Sequence, residues 1–95
     1  AGVVAFTQSV AQEFGRGGVT ANAIMPGLIA TPLVLSMPEK IRDSIARQTP
    51  VGRAGEPAEI GSLVAYLCSP AAGFISATAV ACDGGFLGAT VFAMS

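Results

Sequence analysis

Apolar positions recur through the first fourteen residues at steps of three and four. Val3, Phe6, Val10 and Phe14 fall on one helical face, and Ala5 and Ala11 widen it. The pattern predicts a helix over 2–14 with both sides covered, ended by Gly15-Arg16-Gly17-Gly18, with Gly15 as a left-handed cap. Val19 to Met25 is mostly apolar without that period and reads as a buried strand. Pro26-Gly27 stops it, because proline cannot donate to a ladder and glycine allows a sharp departure. Leu28 to Leu35 stays apolar with Thr31 and Pro32 set into it, as a loop. Ser36 to Gln48 predicts a second helix, with Ser36 as cap, Pro38 in the first turn and Glu39 complementing the dipole. Ile41 and Ile45 form its narrow apolar stripe, Lys40, Arg42, Asp43 and Arg47 face water, and Thr49-Pro50 closes it.

Val51 to Gly55 is a turn-rich connector, and Glu56-Pro57-Ala58-Glu59 opens a third helix with Pro57 at its first position. Ile60, Leu63, Val64 and Leu67 make its broad apolar face, and Ser69-Pro70 stops the run. Phe74-Ile75 is expected to pack under this helix. Thr78 to Cys82 reads as a short buried strand, after which Asp83-Gly84-Gly85 turns sharply. Residues 86–95 are apolar and weakly patterned, and are expected to pack on a neighbour or fray. The order is helix, strand, helix, helix, strand. Its crossover is long enough to make the strands parallel neighbours, so the class is α/β. The loop after the first strand leaves its carboxyl end, where open α/β sheets bind ligands. Such a loop, with one hydroxyl, suits a planar, amide-bearing ligand; a strand end with a tucked-in loop accounts for the same residues equally well.

Composition changes this picture in one respect. At 95 residues the chain is at most one small domain, burying only about two-thirds of its unfolded surface. Yet 52% of it is hydrophobic and 12% charged, with mean hydropathy +0.64, too apolar for a comfortable small monomer. Either partner subunits cover the apolar faces or the chain is a piece of a larger fold. The second option gains weight because Ala1-Gly2-Val3-Val4 begins inside a helical pattern, with no cap and no initiator Met.

Charge and chemistry mostly exclude. A net charge of −1, with Lys and Arg dispersed at 16, 40, 42, 47 and 53, argues against nucleic acid as a partner. No apolar run approaches the roughly 20 residues of a membrane span, and no signal-peptide pattern is present. Cys68 and Cys82, single residues in apolar surroundings, read as buried free thiols, which fits a reducing cytoplasm. The absence of His removes histidine acid–base catalysis and most metal sites.

Four ordered segments carry a family resemblance. Ala1-Gly2-Val3-Val4-Ala5-Phe6-Thr7 with Ala11-Gln12-Glu13-Phe14 resembles the helix that continues from the catalytic Tyr-x-x-x-Lys of the short-chain dehydrogenase/reductases. Val19 to Gly27 resembles their penultimate strand and Pro-Gly turn, and Gly52 to Ile60 the entry to their last long helix. Asp83-Gly84-Gly85 resembles the close of their last strand. The resemblance spans residues 1 to about 88 and is most like the 3-oxoacyl reductases. It implies that residues 1–95 are the C-terminal portion of one Rossmann-type, doubly wound domain, completed by association.

The resemblance also implies roles. The strand-ending Pro26-Gly27 turn and the backbone of Leu28 and Ile29 would approach the nicotinamide carboxamide of NAD or NADP. The Thr31 hydroxyl would lie near that carboxamide or the pyrophosphate, unless it only caps the helix that follows. Residues 32–48 would form one wall of a pocket for a small carbonyl or alcohol substrate, and the last helix and strand would build a homo-oligomer interface. Asn22 reads as a structural hydrogen-bonder, and Arg53 as a partner for Glu56 or Glu59 or as a solvated side chain. The glycine-rich phosphate loop and the catalytic Ser, Tyr and Lys have no counterpart here; by register that Lys would immediately precede Ala1. Tyr66, with no Lys four places on, is read as a packing residue, so no catalytic residue and no metal ligand is assigned. Ser76-Ala77-Thr78 stands where many members have Thr-Gly-Gln, and Cys82 replaces a common valine. A catalytically inactive association module on the same fold is the other reading.

Overall fold

The computed structural model describes residues 2–87; Ala1 and residues 88–95, which include most of the expected 86–95 tail, lie outside the described residues. In chain order the elements are α1 (Gly2–Phe14), β1 (Ala23–Pro26), α2 (Pro32–Leu35), α3 (Glu39–Gln48), α4 (Pro57–Leu67) and β2 (Ala79–Cys82). The predicted order is present, with one extra helical turn, α2, between strand and second helix. Two compact units divide the chain, residues 2–25 with Gly61–Val80 and Pro26–Ile60 with 81–87.

In the first unit, α1 matches its predicted limits, but its covered side is not the predicted one. Val4, Thr7, Val10 and Ala11 are covered, while Val3 and Phe6 are 73% and 71% exposed. The helix therefore has two apolar sides, of which one is covered among the described residues. The cap falls later than predicted. Gly15–Gly17 tighten into a 3-10 turn, and Gly18, at φ 84°, takes the left-handed position and donates its N–H to Gly15 O.

Residues 19–22 do not enter the ladder, so the strand starts four residues later than Val19. Polar groups of Ala21 and Asn22 are taken by the segment before β2. The Ala21 amide donates to Ser76 Oγ at 3.2 Å, and the Ala77 amide donates to Ala21 O at 2.7 Å. Asn22 is the structural hydrogen-bonder expected of it. Its Nδ2 donates to Ile75 O at 3.2 Å, and its Oδ1 accepts from the Thr78 amide and hydroxyl at 3.2 and 2.8 Å. Ala77 sits at φ 62°, the one non-glycine positive φ among the described residues.

β1 and β2 pair parallel in one register, from Ala23 N–H to Thr78 O at 2.9 Å to Gly27 N–H to Cys82 O at 3.3 Å. Along β2 exposed and half-buried residues alternate, so the strand is not buried as predicted: it has one strand neighbour in this sheet. Phe74 is fully exposed, not packed under α4, and Tyr66 and Cys68 are exposed as well. Both thiols are free.

In the second unit the helix boundaries shift. Thr31 opens α2, and Ser36 closes that turn by donating Oγ to Leu33 O at 2.6 Å, where it was expected to open the next helix. α3 starts at Glu39 behind Pro38. Its covered side is rotated from the predicted stripe. Ile41 is exposed, whereas Arg42 is half-buried and donates Nε to Met37 O at 3.2 Å. Thr49 ends α3 buried, its hydroxyl donating to Ile45 O at 2.9 Å. Among the described residues the buried hydrophobics are Ala11, Ala23 and Ala72, and no helix is long and apolar enough to cross a membrane.

Candidate functional site

The site begins where β1 ends. Pro26 removes a donor from the ladder, and Gly27 follows because nothing larger fits. A Cβ on Gly27 would lie 2.8 Å from Asp83 Cβ and 2.9 Å from Asp83 Cα, inside van der Waals contact with backbone that cannot swing away. The chain then crosses to the connector before α4 through an isolated parallel bridge between Ile29 and Gly55. Gly55 N–H donates to Leu28 O, and Ala30 N–H to Gly55 O, both at 2.8 Å. Thr31 N–H turns back onto Ile29 O at 2.7 Å, and α2 starts there.

Four of the five expected residues converge. Pro26, Gly27, Ile29 and Thr31 line one shallow, mostly apolar depression of about 420 Å³, with Val34, Pro57 and Ile60 completing its walls. Leu28 is not among them; its side chain lines two neighbouring cavities. Its backbone stays in the loop. The amides of Leu28 and Ile29 have no hydrogen-bond partner among the described residues, because the bridge to Gly55 uses only the Leu28 carbonyl and the Ala30 amide. Thr31 Oγ1 accepts from Val34 N–H at 3.3 Å, which is the capping role, and its own proton remains available to donate.

The connector carries the charge. Arg53 grips Glu59 with both fork nitrogens, Nη1 to Oε1 at 2.8 Å and Nη2 to Oε2 at 3.1 Å, and Nη1 also donates to Ala54 O at 3.0 Å. Glu59 Oε1 in turn accepts from Glu56 N–H at 2.9 Å, closing the first turn of α4 as in a capping box. Of the two carboxylates left open in the sequence, Glu59 is the partner. Its hydrogen bonds from the Arg53 guanidinium, then from the Glu56 amide, hold its carboxyl down to about 2, and the same bond raises Arg53. Asp83 is held below the usual carboxylate range first by the Leu87 amide at 3.0 Å, with that of Gly85 at 2.9 Å adding to it. The tie from Gly55 to the loop after β1 was missed in the sequence. No group of three or more metal-ligating side chains occurs among the described residues.

Residues 1–87 match a family model described as enoyl-(acyl carrier protein) reductase. The (3R)-3-hydroxyacyl-CoA dehydrogenase of Mus musculus is 41% identical over 85 residues, 90% of this chain and 33% of that protein. Acetoacetyl-CoA reductase of Shinella zoogloeoides is 46% identical over 86 residues, 90% of this chain and 36% of the relative. Among solved structures, a 3-oxoacyl-[acyl-carrier protein] reductase from Brucella melitensis superposes with TM-score 0.86 at 32% identity, over 88% of this chain and 31% of that one. A short-chain dehydrogenase/reductase of Serratia marcescens gives 0.84 at 33% identity, over 90% and 34%. The chain spans about a third of the length of these relatives.

Proposed function

The chain belongs to the short-chain dehydrogenase/reductase family, corresponding to its C-terminal region, and from that premise we propose that it forms part of an NAD(P)-dependent oxidoreductase acting on a carbonyl or alcohol. The observation that carries the reading is the meeting of Pro26, Gly27, Ile29 and Thr31 at the carboxyl end of β1, beside two amides with no partner among the described residues. A nicotinamide carboxamide offers an oxygen that needs donors and an NH₂ that needs acceptors. The Leu28 and Ile29 amides supply donors, and the Thr31 hydroxyl can donate as well. Val34, Pro57 and Ile60 would cover the ring's apolar surroundings and keep water from it.

When bound, the cofactor gives or takes the hydride. These residues bind and orient its nicotinamide end, and residues 32–48, folded as α2 and α3, wall the substrate pocket. The proton that accompanies the transfer needs an acid–base group, and the 95 residues contain neither Tyr-x-x-x-Lys nor His. The substrate class we assign is a 3-oxoacyl or 3-hydroxyacyl thioester. The names of the relatives support it, as does the apolar run Leu28 to Met37. The segment is one portion of a single Rossmann-type domain. The reading includes a homo-oligomer, most simply a two-fold dimer in which last strands or last helices meet.

Titration of the isotope-labelled whole protein with NADH and NADPH tests the assignment. The amide resonances of Leu28 and Ile29 should shift on binding. If they stay in place while cofactor binds elsewhere, the loop assignment fails. If no cofactor binds at all, the inactive association module becomes the reading.

A further inference from the structure

The loop that carries the two amides without a partner among the described residues is held only in part by its own neighbours in sequence, through Thr31 N–H on Ile29 O. Its tie to the rest of the unit is Gly55, which bonds to Leu28 O and Ala30 N–H on either side of Ile29. Gly55 is held in turn by what flanks it. Arg53 lies two residues before it, and Glu59 four residues after; the two are joined by a bidentate pair, with Arg53 also tied to Ala54 O and Glu59 to the Glu56 amide. Every residue from Arg53 to Glu56 thus has a polar anchor or flanks one. The pair is exposed, at 56% and 46% for the two side chains, so by magnitude it adds little to global stability. What a rigid fork does supply is direction, since two parallel N–H···O bonds fix the relative orientation of both groups.

We propose that Arg53 and Glu59 are positioning residues for the cofactor loop, clamping the connector so that Gly55 sets the Leu28 and Ile29 amides at one place and angle. The inference rests on the loop assignment above. In this reading the pair acts on the cofactor through Gly55 rather than by direct contact. Lysine in place of Arg53 would keep the charge but lose the fork. Glutamine in place of Glu59 would keep an acceptor for the Glu56 amide but lose the ion pair.

In the whole protein, Glu59→Gln should raise the KM for cofactor by roughly 3- to 10-fold, with kcat within about two-fold of the parent. Arg53→Lys should fall between the parent and Glu59→Gln. Amide exchange read without cofactor should quicken at Ala30 and Gly55 in both variants and stay unchanged at Ala23, whose partner is Thr78. A cofactor KM unmoved in both variants overturns the proposal, whatever happens to the melting temperature, and so does exchange that quickens equally at Ala23. Quickened exchange confined to Ala30 and Gly55, with KM raised in step, supports it. Failure of the parent loop assignment reads out separately, as Leu28 and Ile29 amides of the unmutated protein that ignore bound cofactor.

Discussion

The Thr31 hydroxyl caps α2 and still has a proton to give, which the proposed cofactor role would use. Substitution separates the two duties. Thr31→Val removes both, which should cost about 0.5–2 kcal/mol for the cap and weaken cofactor affinity by roughly 2- to 12-fold, the loss of one neutral hydrogen bond. Thr31→Asp keeps an acceptor for the Val34 amide but loses the donor, so its melting temperature should hold while affinity falls. A Thr31→Val protein that melts earlier yet binds cofactor normally would reduce the residue to a cap. Ala77 presents a second single-residue test. It is held at φ 62° by the Ala77 amide on Ala21 O and by the Asn22 bonds to its neighbours, in a region that costs an L-residue about 1–2 kcal/mol. Glycine relieves that strain but loses more entropy on folding. The balance for Ala77→Gly is a gain of about 0.5–1 kcal/mol, a rise of a few degrees in thermal unfolding. An unchanged or lower melting temperature would show that the position is not strained.

At the scale of elements, spacing and end signals carried α1 and α4. The three-and-four pattern set α1 to its residue limits, and Pro57 followed by Glu59 set the start of α4. What spacing did not carry was decided by short polar contacts. One threonine hydroxyl makes a four-residue helix of Pro32–Leu35, and one asparagine side chain draws residues 21–22 toward 75–78 and out of the ladder. The place of the candidate site was legible for a related reason. A Pro-Gly after a strand marks where the chain must leave the sheet, whereas the clamp from Gly55 depends on a crossing that no local pattern announces. The two glycines of that region should respond differently to a methyl group. Gly27→Ala meets Asp83 backbone and should cost about 1–3 kcal/mol in denaturant unfolding. Gly55→Ala meets only the rotatable end of Ile29, 2.9 Å away, and should cost less. The Arg53–Glu59 pair has a pH signature of definite sign. Glu59 is lowered from 4.5 to about 2, so whatever it contributes is present above pH 4.5 and lost as pH falls through about 2. Melting curves of Glu59→Gln should therefore fall less steeply over that interval than those of the parent. Asp83, shifted the same way, leaves a residual slope in both.

At the scale of the whole chain, the described residues bury little among themselves: their buried hydrophobics are three alanines, while Val3, Phe6, Leu33 and Phe74 are largely exposed. Burial of such a side chain is worth about 1.5–3 kcal/mol, so closing these faces against other protein outweighs any exposed ion pair the chain contains. Light scattering should accordingly find an assembly at micromolar concentration, and a stable monomer there would count against a homo-oligomer. The bare side of α1 has a consequence for what stability means in this chain. If folding is completed only when such faces close, unfolding and dissociation are one reaction, and its midpoint obeys mass action. For a dimer, each tenfold rise in protein concentration should then add about 1.4 kcal/mol to the apparent unfolding free energy. A chain with a sufficient core of its own would show no such climb.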